Sequence, residues 1–225
     1  MLLSEPPQNP QLNRERMTEV MFETFNVPAM YCNVQAVLGL YAAGRTTGCV
    51  VDSGAGITHA VPIFEGYSLP HSIQKMDLAG QDITAYLTKL LTARGFEFTT
   101  PAEADVVNDM KEVLCYVAHD YKKEVADMKE STAGQRSYEL PDGNAVTVGT
   151  ERVQAAEALF NPMLLDREMP GLHETAFNCI SKCDNEIRKD LYVKGWLCVW
   201  NHPVNTITLT CLFVVLLVLR SGTRT

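Results

Sequence analysis

Positive charge is in short supply in this sequence. Its 27 acidic residues outnumber 19 lysines and arginines, leaving a net charge of −8. Bulk electrostatics therefore give no support to non-specific binding of nucleic acid or anionic lipid. A metal-type cysteine pattern is also missing. The seven cysteines, Cys32, Cys49, Cys115, Cys179, Cys183, Cys198 and Cys211, form no C-x-x-C pair and no regular framework. That excludes the common zinc-finger spacings and favours reduced thiols in a reducing compartment over a disulfide scaffold. Cys179 and Cys183 sit four apart, on one helix face, with no histidine or acid at ligand spacing beside them, and are read as packing residues. The opening MLLSEPPQNPQLNRERM turns polar and proline-rich after two leucines, which is not a secretory signal. No internal repeat or low-complexity segment is present. From Trp196 to Thr225 there is no Asp or Glu at all, a composition shift that marks a boundary near Tyr192.

The 225 residues, 46% hydrophobic and 20% charged, suffice for one or two globular domains with substantial cores. Met17, Val20, Met21 and Phe25 recur at helical spacing and predict an amphipathic helix ended by Pro28. A short strand is expected over Ala29–Val34 and a helix over Gln35–Ala43, stopped by Gly44. Thr46–Val51 is β-branched and apolar, and Ile57–Phe64 is its expected hairpin partner. Further on, Ile83, Leu87, Leu90 and Leu91 form one helical stripe ending at Gly95. Val106, Val107, Met110, Leu114 and Val117 form another. Pro141-Asp142-Gly143 is turn chemistry between two strand-like runs. Glu151–Phe160 reads as helix before Pro162, and Glu174–Asp190 as a last helix or helix pair. Strands and helices alternate, which gives an α/β class.

The turn between the two central strands, Asp52-Ser53-Gly54-Ala55-Gly56, has two readings. Glycines at 54 and 56 let a ligand approach the backbone closely, and successive N–H groups make a seat for phosphate oxygens. Asp52 at the strand end is placed to hold a hydrated divalent cation, an indirect arrangement that magnesium favours. The competing reading is a hairpin whose glycines serve turn conformation alone. The same choice applies to Gln35, His59, Lys111 and Glu112, each of which has an ordinary structural role as its alternative.

Longer segments favour the first reading. NPQLNRERMTEVMFETFNVPAMY, the turn itself, EGYSLPHSIQKMDLAGQDIT, MKEVLCYVAHDY, SYELPDG and HETAFNCISKCDNEIRKDLY resemble actin, in the same order, from about Leu2 to Tyr192. The resemblance implies an ATP-binding fold of the ribonuclease-H-like actin/Hsp70/sugar-kinase class, with nucleotide and a divalent cation between two lobes and monomers that assemble into filaments. It gives Asp52 the role of the acid that contacts the cation's water shell. Ser53, Gly54, Ala55 and Gly56 match the second phosphate loop. Gln35 matches the glutamine that orients the attacking water, and His59 the histidine near it. A glutamine suits that task because it both donates and accepts while being too weak a base to take the proton. Gly80 matches a glycine near the nucleotide cleft, and Lys111 and Glu112 the lysine–glutamate pair that flanks adenosine, expected near the start of a helix lining the same cleft. The resemblance divides the chain into a remnant of the first lobe (1–42), the inner part of the second lobe (43–78 and 168–192), its outer part (79–167) and an unrelated tail (193–225).

The departures from the family pattern are as specific as the match. The first phosphate loop, with Asp-Gly-Ser-Gly, is expected before Leu2. The Gly-Gly-Thr…Met-Tyr-Pro segment that closes over adenine is expected after Tyr192, where this sequence diverges. Ala55 stands where the second phosphate turn usually has an acid, and Asn108 where an arginine precedes the lysine–glutamate pair. An actin-like cytoskeletal protein of the cytoplasm is therefore expected. Its ATP or ADP with magnesium (or calcium) should be held weakly or lost, its hydrolysis and polymerisation impaired, and its partners actin and actin-binding proteins. The alternatives are a non-enzymatic interaction protein that competes for actin partners and a variant tethered to a membrane through its tail. Ile207–Leu219 spans roughly 20 Å as a helix against a hydrocarbon core of about 30 Å. The segment from Val204 to Leu219 is either a short membrane anchor or an unselected run.

Overall fold

Six residues of unbroken burial, Gly48–Ser53 (β3), define the centre of the structure. The computed structural model describes residues 1–131, 134–193 and 196–200, the last five as backbone only. The chain divides into two units, one of Met1–Asp77 with residues from His173 onward, the other of Leu78–Leu172. Each is described by itself.

In the first unit, β3 pairs antiparallel with Thr58–Phe64 (β4), Ser53 opposite Thr58 and Gly48 opposite Ile63. Two strands this apolar are stable only when both faces are covered. One face is covered by the helix Gln35–Ala42 (α2), whose Ala36, Val37 and Leu40 pack with Val50, Val61 and Ile63. Gly44 takes a φ of +70° at the helix end, where a glycine carries no steric penalty, so the expected stop is observed. The other face meets the helices Leu172–Ser181 (α7) and Asn185–Val193 (α8). There Cys179 Sγ approaches Cys49 Sγ and donates to the Ala60 carbonyl at 3.4 Å. Full burial of side chains such as Leu40 and Ile63 contributes about 1.5–3 kcal/mol each.

The strands Tyr67–Ser68 (β5) and Gln74–Met76 (β6) both pair with β4. On the far side, Trp196–Trp200 (β9) runs parallel to β3, from Cys49 opposite Trp196 to Ser53 opposite Trp200. The start of the tail thus contributes a strand to the central sheet. Its sequence, WLCVW, is apolar throughout and looks the same as the start of a hydrophobic tail. The expected membrane segment from Val204 to Leu219 lies outside the described residues. Among the described residues no helix is long and apolar enough to cross a membrane.

A second, two-stranded parallel sheet joins Leu2–Glu5 (β1) to Tyr31–Val34 (β2). Glu5 at the end of β1 is buried and accepts hydrogen bonds from Asn9 and Arg14. These hold its carboxyl below the usual range although burial, the largest influence, acts upward. The intervening helix Gln11–Glu19 (α1) continues into a π-helical turn over Val20–Thr24. It buries none of its residues, and Val20 and Phe25 are exposed. The expected apolar stripe exists, but it faces outward rather than into a core.

The second unit is helical around one hairpin. The helix Gly80–Ala93 (α3) buries Ile83, Leu87 and Leu91 and ends before Gly95 at φ +94°. The helix Pro101–Leu114 (α4) buries Val107, Met110 and Leu114 behind a Thr100–Glu103 capping box. The helix Tyr121–Glu130 (α5) starts at Asp120, which accepts from the Lys123 amide. Arg136–Glu139 (β7) and Ala145–Val148 (β8) form the hairpin expected at Pro141-Asp142-Gly143. Glu151–Glu157 (α6) follows and packs on α3.

Candidate functional site

The tip of the β3–β4 hairpin is built from four residues, Gly54 to Ile57, closed by the Gly54 amide donating to the Ile57 carbonyl at 3.0 Å. Just inside it, Ser53 Oγ and Thr58 Oγ1 meet at 2.9 Å, both buried. The Ser53 hydroxyl is therefore paired across the hairpin, and the Gly54 amide is committed to the turn. The amides of Ala55 and Gly56 donate to no backbone carbonyl among the described residues, and both residues are exposed. Neither glycine has a left-handed φ, and a Cβ on Gly56 would meet nothing within 4 Å. Packing and conformation within the chain thus leave both positions open to a side chain.

Asp52 lies two residues before this tip, opposite His59 on β4 and Val199 on β9. Strand alternation puts Asp52 two residues beyond Val50, and His59 two before Val61, on the face covered by α2. The direction of α2 brings its first residue, Gln35, to the same end. Tyr41, near the helix C-terminus, reaches the Gly66 carbonyl at 3.4 Å, at the opposite end of the hairpin from the tip. With a short connection into β3, α2 runs antiparallel to that strand. Gln35, Asp52 and His59 consequently occupy one end of one face, beside Ala55 and Gly56.

The electrostatics of this corner centre on a buried acid. Asp52 is only 9% exposed, and its Oδ1 has no hydrogen-bond partner. Burial pushes its pKa up to about 6, because nothing nearby compensates the desolvated charge. An uncompensated buried carboxylate is costly unless something binds it. Half-buried His59 is shifted the other way, downward, by burial and by the charge of Lys75 opposite it on β6. Its imidazole is therefore neutral at neutral pH.

In the second unit the candidate residues form a different structure. Lys111 is buried in the last turn of α4, and its Nζ donates to the Gly80 carbonyl at 3.2 Å, Thr84 Oγ1 at 2.9 Å and Asn108 Oδ1 at 2.7 Å. All three ammonium hydrogens are used. Asn108 also donates to Glu112 Oε1 at 2.6 Å. The expectation that Lys111 and Glu112 lie near a helix start is corrected: they are at its C-terminal end, where a lysine complements the helix dipole. Thr84 is the organising residue that sequence reasoning passed over, and Asn108 was read only as a departure from the family pattern. The signal for Asn108 was its spacing from Lys111 and Glu112, which places all three on one edge of a helix. Desolvation lowers the Lys111 pKa, while three acceptors keep the ammonium satisfied.

The order of these parts, a glycine-tipped hairpin with an acid at its base, a helix returning a glutamine to it, and a lysine-clamped helical unit inserted between two strands of the sheet, has a counterpart among known families. The actin family model matches residues 1–194, most of the 225-residue chain. The chain belongs to the actin family. The match ends just before β9, so this member of the family completes its sheet with residues beyond the matched region. Members of the actin family usually bind nucleotide with a divalent cation. Among the described residues, no group of three or more His, Cys, Asp or Glu side chains is placed to hold a metal ion directly. Asp52, with an unpartnered oxygen, fits a cation that keeps its waters.

Proposed function

We propose that this protein is an actin-like cytoskeletal protein whose β3–β4 hairpin retains one side of a nucleotide–magnesium site, with hydrolysis and polymerisation impaired. The observation that carries this reading is the buried Asp52 with its unpartnered Oδ1 at the base of an open glycine tip. A divalent cation there supplies charge neutralisation for the phosphates of ATP or ADP. Calcium fits the same oxygen chemistry as magnesium. The chain's own residues do the rest. Asp52 accepts hydrogen bonds from water in the cation's shell, the Ala55 and Gly56 amides face phosphate oxygens, and Gln35 orients a water. Neutral His59 stands near that water as a polar neighbour.

The weakness of the site follows from its surroundings. Ala55 supplies no carboxylate beside Asp52, so one acid carries the cation alone. Lys111 spends its ammonium inside the second unit, and Glu112 accepts from Asn108, so neither is poised for a ligand. The segment after residue 194 departs from the family and forms β9. Preorganised donors around the developing charge supply most of the catalysis in phosphoryl transfer, and this chain carries few of them. Weak binding with little turnover is the expected result. Its partners are proposed to be actin and actin-binding proteins of the cytoplasmic cytoskeleton.

Titration of a fluorescent ATP analogue into the full chain, with and without magnesium, tests the proposal. Weak binding that needs magnesium and is lost in Asp52→Asn supports it. Binding indifferent to both magnesium and Asp52→Asn overturns it.

A further inference from the structure

Cys49 near the start of β3 and Cys179 in α7 face each other across the sheet–helix interface of the first unit. Both are fully buried, and their Sγ atoms stand 3.9 Å apart. Neither has a part in the nucleotide reading, because strand alternation turns Cys49 to the face opposite Asp52. Cys32, Cys49, Cys115, Cys179 and Cys183 are in the thiol form. Cys183 lies one turn beyond Cys179, and its Sγ is directed at the Cys179 carbonyl at 3.4 Å.

We propose that Cys49 and Cys179 are a redox-sensitive pair that a peroxide joins into a disulfide, fastening β3 to α7. Van der Waals contact between the sulfurs leaves each side chain about 1 Å to travel before reaching the bonding distance of roughly 2 Å. A link between Cys179 and Cys183 is the competing product, since Cys183 lies just past the end of α7 with its Sγ on the Cys179 carbonyl. In the reaction, one thiolate attacks a peroxide oxygen, the O–O bond breaks and hydroxide leaves, giving a sulfenic acid. The second thiolate attacks that sulfur, the S–O bond breaks and a second hydroxide leaves. With the two thiol protons the sum is one peroxide consumed, one disulfide formed and two waters released.

Burial makes the reaction conditional on opening. Cys49 is paired with Trp196 of β9, an edge strand of five residues, and edge elements open at lower free energy than the core. The rate of oxidation therefore follows release of β9, and the product ties together residues 130 apart in sequence. Closing so long a loop restricts the unfolded chain strongly, so the oxidised protein unfolds at higher temperature.

The test is peptide mapping of the full chain after exposure to hydrogen peroxide, with alkylation before digestion under non-reducing conditions. The expected result is one linked species joining the Cys49 and Cys179 peptides, lighter by two hydrogens and reversed by reductant, with an upward shift of the thermal midpoint. Cys183→Ser should form the same link, and Cys49→Val should show neither link nor shift. A link through Cys32, Cys115 or Cys183, sulfinic acid at Cys49 or Cys179 without a link, or full alkylation of both thiols after prolonged exposure would each overturn the proposal. The mapping of the unmutated protein decides the matter even if a variant folds poorly.

Discussion

Replacing Asp52 by asparagine should stabilise the protein in the absence of divalent cations, a reversal of what removing a paired acid does. The folded-state pKa of Asp52 is raised from 3.8 to about 6, so folding disfavours its charged form. Two pKa units correspond to about 3 kcal/mol. The sign follows from linkage: below pH ~4 the group is protonated in both states and there is no penalty. As pH rises from about 4 to about 6 the unfolded chain ionises first, and stability falls. Above about 6 the full penalty is present. Asparagine keeps the shape and removes the titration, while its own buried amide recovers only part of the gain. The expected advantage at pH 7.5 is about 1–3 kcal/mol, shrinking to near zero at pH 4. Urea unfolding of both proteins in chelator across pH 4–7.5 measures it. Asp52→Asn being less stable at pH 7.5, or a difference that does not change with pH, would refute the reasoning. Addition of millimolar magnesium and ATP should reduce the variant's advantage, since only the unmutated protein gains stability from cation binding.

Other consequences are as direct. Leu40→Ala, fully buried between α2 and the sheet, should cost about 2–5 kcal/mol in chemical denaturation. Lys111→Ala leaves the Gly80 carbonyl and Asn108 Oδ1 without their cation and should cost about 2–4 kcal/mol, read as a lower urea midpoint. Deleting the chain from Trp196 onward uncovers the edge of β3. It should lower the thermal midpoint and raise light scattering as the bare strand pairs with other copies; unchanged stability would show that β9 adds nothing to the fold. Gly66→Ala meets both a φ of +87° and the Tyr41 ring, so a loss of at least about 1 kcal/mol is expected in the same assay.

Much of this arrangement was readable from local chemistry. The run from Thr46 to Phe64 announces a hairpin because β-branched strands flank Gly54, Ala55 and Gly56, residues suited to a tight turn. The stripes Ile83-Leu87-Leu91 and Val107-Met110-Leu114 carry a helical period that tertiary packing only had to accept. What escaped was set by partners distant in sequence. Leu2–Glu5 is a strand because it lies beside Tyr31–Val34, and four residues carry no period of their own. Trp196–Trp200 is a strand because β3 offers an edge to it, while its composition equally suits a hydrophobic tail. The stripe of Val20 and Phe25 is helical in pattern yet exposed, since a period reports a face and not what covers it. At the site, the acid and the glycines were legible. Two facts required coordinates: the Gly54 amide is consumed by the turn, and the Lys111 ammonium is consumed by three acceptors.

The central claim is a hairpin that binds nucleotide weakly while the chain neither turns it over nor assembles. Phosphate release and sedimentation of monodisperse full-length protein in magnesium and excess ATP address it together. The account predicts release no faster than a protein-free control and no pelletable polymer. Magnesium-dependent release abolished by Gln35→Ala, or polymer in the pellet, would contradict it.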